Sequence, residues 1–378
     1  MSTKQEQQDA RREVSEVAPG IARLELPIRM PGLGHVNCYA LLDDEGVAIV
    51  DPGLPGNATW RALQDRLKQL DLEPRHVHTV VITHSHPDHF GCANRFQRES
   101  GAKIIAHCHF AEDWGHSHGH EVSTDDMEAQ RESFDAAERE RDPDAEERQA
   151  KAHQARRQAE REKRVVSRWD GPSPWGGKPP RPPMKYRWRR WMSNMTQRES
   201  FMPEISDPVE HGNVLHLAGR EWFVHHTPGH TLDHFCLHDP ETGVFLSGDH
   251  VLPTITPHIS GMTSGADPLQ SFFYALDRVG EISGVGNVLP AHGHPFEELR
   301  KRTDAIKRHH EERLQTLRNI SAEIGPGTVE DYSKRLFKPR SWGSMAESET
   351  YAHLEHLRIA GEAESHRDAD GVLRYQTR

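Results

Sequence analysis

Apolar positions in the first hundred residues fall into brief runs separated by turn residues. Runs at 21–26, 36–42, 47–50, 78–82 and 103–106 are short and rich in aliphatic and β-branched side chains, which predicts strands. Asp44-Glu45-Gly46 reads as a hairpin turn between the second and third of them. Residues 57–70 set Trp60, Leu63, Leu67 and Leu70 at helical spacing, with Asn57 as the expected N-cap. The strand pattern resumes at 213–217, 222–226, 234–238 and 244–247, with a turn at Asp239–Gly243. A helix at 268–279 and a strand at 287–289 follow. Two sets of strands with helices between them predict one α/β layered domain over residues 20–300.

That domain is interrupted. Residues 112–205 form an expected insertion, helical and then Pro-rich. Its stretch 121–168 is nearly all charged, Gln or Ala and favours a solvated helix, while GPSPWGGKPPRPP at 171–183 cannot continue one. Residues 185–191 then mix arginines with Trp188 and Trp191, which reads as packing of the insertion onto the body rather than as an RNA surface. Residues 1–19 are expected to be disordered. Residues 301–378 read as a separate winged-helix-like domain. Its helices are expected at 296–322, from a Thr328 N-cap to Leu336, and at 347–360 before a Gly361 stop, with a hairpin about Asp370-Gly371.

Composition narrows the partners. The 378 residues carry a net charge of −11, which argues against the whole chain as a nucleic-acid binder and leaves room only for a local basic patch. The 347–360 helix is itself acidic, so packing or a homodimer contact is the better role for that domain than a phosphate backbone. The four cysteines are scattered without a CxxC pair, which fits free thiols. With no apolar signal segment and no 18-residue apolar run, a cytoplasmic protein without membrane association is expected.

Chemistry concentrates at the ends of apolar runs. Thr83-His84-Ser85-His86-Pro87-Asp88-His89 follows the run Thr79–Ile82, so a buried strand delivers four candidate ligands into one loop. Imidazole and carboxylate suit zinc, and also iron or manganese. Four ligands in six residues crowd one ion, but His84 with His86 and Asp88 with His89 can serve two neighbouring ions. Three more candidates follow later strands: His230 in HTPGH, Asp249 in SGD and His292 in PAHGH. Asp249 is suited to bridge. Two ions about 3.5–4 Å apart would clamp a water and bring its pKa toward about 7, giving a hydroxide able to attack a carbonyl or phosphoryl centre. Asp88 and Asp249 are the carboxylates expected to matter most for catalysis.

This constellation resembles the metallo-β-lactamase fold superfamily, an αββα sandwich in which HxHxDH, a later His, an Asp and a final His bind two metals. The resemblance implies one metal on His84, His86 and His230, a second on Asp88, His89 and His292, and Asp249 shared. Asp51, in Val50-Asp51-Pro52-Gly53, matches the family's buried aspartate beside the site. The resemblance covers about residues 20–110 and 206–300. GHVNCYALL at 34–42 and GDHVLPTITP at 248–257 resemble a narrower branch that carries a C-terminal winged-helix domain.

The expected activity is hydrolysis of an ester, a thioester of acyl-CoA or acyl-glutathione type, or a lactone, with two Zn2+ as default cofactors and Fe or Mn as alternatives. The alternative is an endoribonuclease or phosphodiesterase on the same two-metal site. Against it stand the acidic charge and the lack of the second nuclease domain such enzymes carry. A di-iron redox site is a third reading, for which no flavin domain is present. Among the remaining histidines, His116, His118 and His120 read as a polar loop. His107, His109 and His294 read as supporting or solvated residues, and His225 and His226 as a strand end. His250 and His258 could reach substrate only as a minority reading.

Overall fold

The computed structural model describes residues 4–30, 32–112, 173–176, 202–263 and 265–378. The expectations for 121–168, for His116, His118 and His120 and for 185–191 lie outside those residues. The chain divides into two compact units. Described residues of the first lie within 1–110, 180–258 and 272–310; those of the second lie within 111–179, 259–271 and 311–378. The division therefore differs from a single break at 301.

The first unit is a pair of sheets. One runs in chain order: β1 (Ser15–Ala18), β2 (Ile21–Met30), β3 (Leu33–Asp43), β4 (Gly46–Val50), β5 (Val77–Ile82), β6 (Lys103–His107) and β7 (Asp207–Val209). β1 to β4 pair antiparallel and β4 to β7 parallel. The other sheet has the order β12-β11-β10-β9-β8, from β8 (Val214–Leu217), β9 (Arg220–His226), β10 (Phe235–Asp239), β11 (Val244–Gly248) and β12 (Asn287–Pro290). Only β11 and β12 pair parallel within it. The central strands read as nearly continuous apolar runs because parallel strands are covered on both faces.

Tyr39, Val50, Val81 and Ile105 from the first sheet share one core with Trp222, Phe235, Leu246 and Leu289 from the second. Helices cover the outer faces. α1 (Asn57–Gln69) buries Trp60, Leu63 and Leu67. Between it and α3 (Ala93–Ser100) lies a single helical turn, α2 (Pro87–Phe90). The Trp60 ring sits 4.7 Å from that of Phe96 on α3. On the other side α4 (Pro268–Gly280) buries Phe272, Leu276 and Val279, and its Arg278 donates to the His226 carbonyl. α5 (Leu299–Ile324) lies beside α4 through Lys307 Nζ, 2.7 Å from Asp277 Oδ1. The result is the αββα sandwich.

Two local expectations are corrected. Asn57 is the first helical residue and Gly56 the cap, so the α1 start has no side-chain cap. Residues 4–18 are ordered, contrary to the disorder expected for 1–19. A 3-10 turn at Gln5–Gln7 and strand β1 occupy this segment, and Glu6 is fully buried. Charge suggested solvation there, but sheet pairing and a buried carboxylate with three donors outweigh it.

The second unit takes the C-terminal part of α5, then β13 (Gly327–Thr328), α6 (Val329–Leu336), α7 (Ser344–Ile359) and the hairpin β14 (Ala363–Arg367) with β15 (Leu373–Thr377). β15 lies between β13 and β14. Thr328 caps α6 as expected: its hydroxyl accepts from Asp331 N at 3.1 Å while Asp331 Oδ2 accepts from Thr328 N at 2.9 Å. Gly361 takes φ 75° just past α7, the left-handed stop its position implied. Tyr332 Oη donates to the Tyr375 carbonyl at 3.0 Å, tying α6 to the hairpin. From the insertion, Trp175 is buried, with its ring 5.2 Å from that of Tyr351 on α7. Its carbonyl accepts from Leu373 N at 2.9 Å.

Trp222 is fully buried between the two sheets, its indole donating to Leu217 O at 3.2 Å. Trp222→Ala leaves a void there and is expected to lower unfolding free energy by about 3–5 kcal/mol. Urea denaturation measures it; an unchanged midpoint would contradict this packing.

Candidate metal centre

Every candidate ligand sits just past the end of a strand, at one edge of the sandwich. β5 ends at Ile82 and is followed by Thr83–His86 and the turn α2, which carries Asp88 and His89. The HxHxDH run is thus part loop and part helix, where a loop throughout was expected. His230 lies four residues past β9, beyond a turn whose Gly229 has φ 134° and no room for a Cβ against Phe272. Asp249 follows Gly248 of β11, whose Cβ would fall 2.6 Å from His234 Nε2. His292 lies two residues past β12. His84, His89 and His292 are fully buried; Asp88, His230 and Asp249 are nearly so.

The seven residues are brought together as two donor groups. His84, His86, His230 and Asp249 form one, and Asp88, His89 and His292 the other. In the first, His86 Nδ1 is 3.1 Å from both His84 Nε2 and His230 Nε2. Four tetrahedral ligands at about 2.0–2.1 Å from zinc are spaced at about 3.3 Å, so this spacing fits a cation. Asp249 Oδ2 is 3.5 Å from His230 Nε2 and 3.7 Å from His89 Nε2, and its Oδ1 is 3.4 Å from His292 Nε2. One carboxylate therefore faces both groups. Asp88 Oδ2 lies 3.6 Å from both His89 Nε2 and His292 Nε2. His89 Nε2, His292 Nε2 and Asp249 Oδ1 are buried without a hydrogen-bond partner, as expected of donors waiting for an ion.

The opposite nitrogens decide which atoms face inward. Asp51 Oδ2 meets His89 Nδ1 at 2.9 Å; its carboxylate also accepts from Thr83 N at 2.9 Å and Thr83 Oγ1 at 2.8 Å. Asp51 has φ 55°, unusual for a non-glycine residue and an example of strain held at a site. Thr83 Oγ1 is 3.0 Å from His84 Nδ1. The carbonyls of His258 and His35 accept from His230 Nδ1 at 2.6 Å and His292 Nδ1 at 2.7 Å. Each bond takes up an Nδ1 and leaves the Nε2 directed to the centre.

Burial, reinforced by neighbouring imidazoles, holds His84 and His86 well below the usual histidine pKa, so both stay neutral. His89 goes the other way. Burial lowers it, but Asp88, Asp249 and Asp51 together raise it to about 10. His292 is likewise raised, against its burial, by Asp249 and Asp88. Burial works against the charge of Asp249, yet His292 and His89 hold its pKa well below the usual carboxylate range. The carboxylates thus create a place that favours positive charge.

His234 was missed in the sequence. It is fully buried; its Nε2 accepts from Asp249 N at 3.0 Å and its Nδ1 lies 2.7 Å from Thr227 Oγ1. It holds the shared carboxylate's backbone, and its ring is 5.0 Å from that of His84. Only its place four residues beyond His230 in HTLDH hinted at this. His107 is buried and stacks on His226 at 4.0 Å. His258 contributes its carbonyl to the site, and His250 is buried against Phe272.

Such a sandwich with a His/Asp cluster at one edge defines a metal-dependent hydrolase. The sequence model of the metallo-beta-lactamase superfamily matches residues 31–319, and the chain belongs to that superfamily. A metallo-beta-lactamase family protein of Thermus thermophilus superposes with TM-score 0.67 at 27% identity, covering 96% of this chain and 100% of that one. A probable metallo-hydrolase of Bacillus subtilis is 22% identical over 354 residues, 88% of this chain and 91% of that protein. Other relatives match over shorter stretches. A metal-dependent hydrolase of Pyrococcus horikoshii is 34% identical over 79 residues, 21% of this chain and 31% of that protein. A hydroxyacylglutathione hydrolase of Maricaulis maris is 44% identical over 48 residues, 13% of this chain and 19% of that protein.

A raised His89 is protonated on both nitrogens at neutral pH, so Nε2 must lose its proton before it can ligate. Cation uptake is therefore expected to release protons and to strengthen as pH rises toward about 10. Titration calorimetry of zinc into metal-free protein, in buffers of different ionisation enthalpy, measures the release. Uptake with no proton released at pH 7 would contradict the charge balance drawn here.

Proposed function

We propose that the protein binds two divalent cations and hydrolyses a small acyl compound, a thioester in first place, then an ester or lactone. The observation that carries the reading is the pair of donor groups facing one carboxylate, Asp249. His84, His86 and His230 would hold one cation, Asp88, His89 and His292 the other, with Asp249 between them. The imidazole and carboxylate donors suit zinc, with iron or manganese as alternatives. Cations bound there supply Lewis acidity toward a substrate oxygen and activate water at neutral pH.

The hydrogen bonds bear on the leaving group. His84, His89, His230 and His292 all commit Nδ1 to Thr83, Asp51 or a backbone carbonyl, leaving only inward Nε2 atoms. His86 turns Nδ1 inward and is held neutral. With these five imidazoles committed as ligands to bound cations, none of them would be free to protonate a departing group. A thiolate, whose conjugate acid has a pKa of about 8.5, departs without that help, whereas an alkoxide needs it. The hydroxyacylglutathione hydrolase among the relatives points the same way.

An acyl-glutathione or acyl-CoA thioester is expected to turn over faster than its oxygen-ester counterpart, measured by thiol and acid release. Faster cleavage of RNA than of any thioester would overturn the reading. His86→Ala, Asp88→Ala and Asp249→Ala are each expected to lower kcat/KM by about 100- to 1,000-fold or more, with the fold retained by circular dichroism.

A further inference from the structure

The loops that carry His292 and follow Asp249 are held by the segment that opens the chain. His35, fully buried on β3, is the hinge of this arrangement. Its Nδ1 lies 2.8 Å from Gln8 O, its Nε2 accepts from Gly293 N at 3.2 Å, and its own carbonyl orients His292. A Cβ on Gly34 would fall 2.2 Å from Gln8 O, so the opening segment lies directly on β3. Gln5 Oε1 accepts from His294 N at 3.1 Å. From β3, Asn37 Nδ2 donates to Pro290 O and Gly293 O, both at 2.8 Å.

Glu6 does the same for the loop past Asp249. Its fully buried carboxylate accepts from Thr254 N at 2.7 Å, from Ile255 N at 3.1 Å and from the Thr254 hydroxyl. From the opposite side Arg302 on α5 donates to Leu252 O at 2.5 Å and Ile255 O at 2.6 Å. The loop is gripped by an anion at its N–H groups and a cation at its carbonyls. A polar opening segment has no core of its own to bury, so a buried Glu6 and a buried Gln8–His35 bond imply that its place is against the site.

We infer that residues 5–8, acting through Glu6 and His35, position His292 for its cation, and that Glu6 and His35 are positioning residues of the metal centre. The inference rests on the two-cation reading above. Groups that orient a ligand from behind typically contribute about 10- to 100-fold in metal affinity. Glu6 also borders the residue after His292: a Cβ on Gly293 would meet Pro253 Cγ at 2.6 Å and Glu6 Cγ at 3.4 Å. His84 is oriented by Thr83, whereas the stretch gripped by Glu6 leads on to His258, whose carbonyl orients His230.

The test is calorimetric titration of zinc alone into the metal-free full chain, with melting temperature recorded in parallel. The wild type is expected to take two equivalents. His35→Ala is expected to weaken one equivalent by about 10-fold or more and leave the other unchanged, and Glu6→Ala to weaken at least that equivalent to a similar extent. Glu6→Gln, which keeps an acceptor for Thr254 and Ile255, is expected to restore it. Two equivalents of wild-type affinity in both alanine variants would overturn the inference and leave the two-cation reading standing. An equal loss at both equivalents with a lower melting temperature and no rescue by glutamine would overturn it as mere destabilisation. A wild type that binds fewer than two equivalents would overturn the reading itself, and this inference with it. Should His35→Ala not fold, the Glu6 pair decides.

Discussion

A histidine binds a cation only through a bare nitrogen, and which nitrogen is bare is settled by what the other one touches. In this protein the back of the ring comes first. Asp51, Thr83 and the carbonyls of His258 and His35 take up the outward nitrogens, and only then do the Nε2 atoms of His84, His89, His230 and His292 converge. Asp51 carries the largest share. It accepts from Thr83 twice, holds His89, and adopts a left-handed backbone conformation in doing so. Loss of these bonds would leave the same side chains in the same region without a common focus.

The sheets bring those backs and fronts together. β4 and β5 run parallel, so Asp51 and the Thr83–His89 run leave the same edge of their sheet. β11 and β12 also run parallel and send Asp249 and His292 out together from the other sheet. The Thr83 carbonyl accepts from Phe235 N at 3.0 Å and bridges the two sheets beside the centre. The shared core of Val81, Phe235, Leu246 and Leu289 lies beneath these strand ends. Packing and chemistry are therefore linked through strands rather than through long mobile loops.

Much of this was legible because strand periodicity and ligand chemistry coincide along the chain. Apolar runs followed by His or Asp marked the four strand ends that carry the ligands, β5, β9, β11 and β12, and Asp51 was visible as a polar residue just past a buried run. What escaped had a different character. His234 acts from behind, and a residue that donates or accepts toward a ligand's backbone has no distinctive spacing. Residues 4–18 read as disordered because their composition is polar, yet they are ordered by pairing with β2 and by partners distant in sequence, Thr254 and His294 among them. Local propensity cannot register contacts across more than two hundred residues. The extent of the second unit was hard to read for the same reason: Trp175 joins it through backbone pairing with Leu373.

On the two-cation proposal, the donor groups on either side of Asp249 each hold one ion. Anomalous diffraction at the zinc edge, from crystals of the full chain grown with zinc, tests it most directly. Two peaks are expected, one among His84, His86 and His230 and one among Asp88, His89 and His292, each in contact with Asp249. A single peak, or density that leaves Asp249 without a cation, would contradict the account.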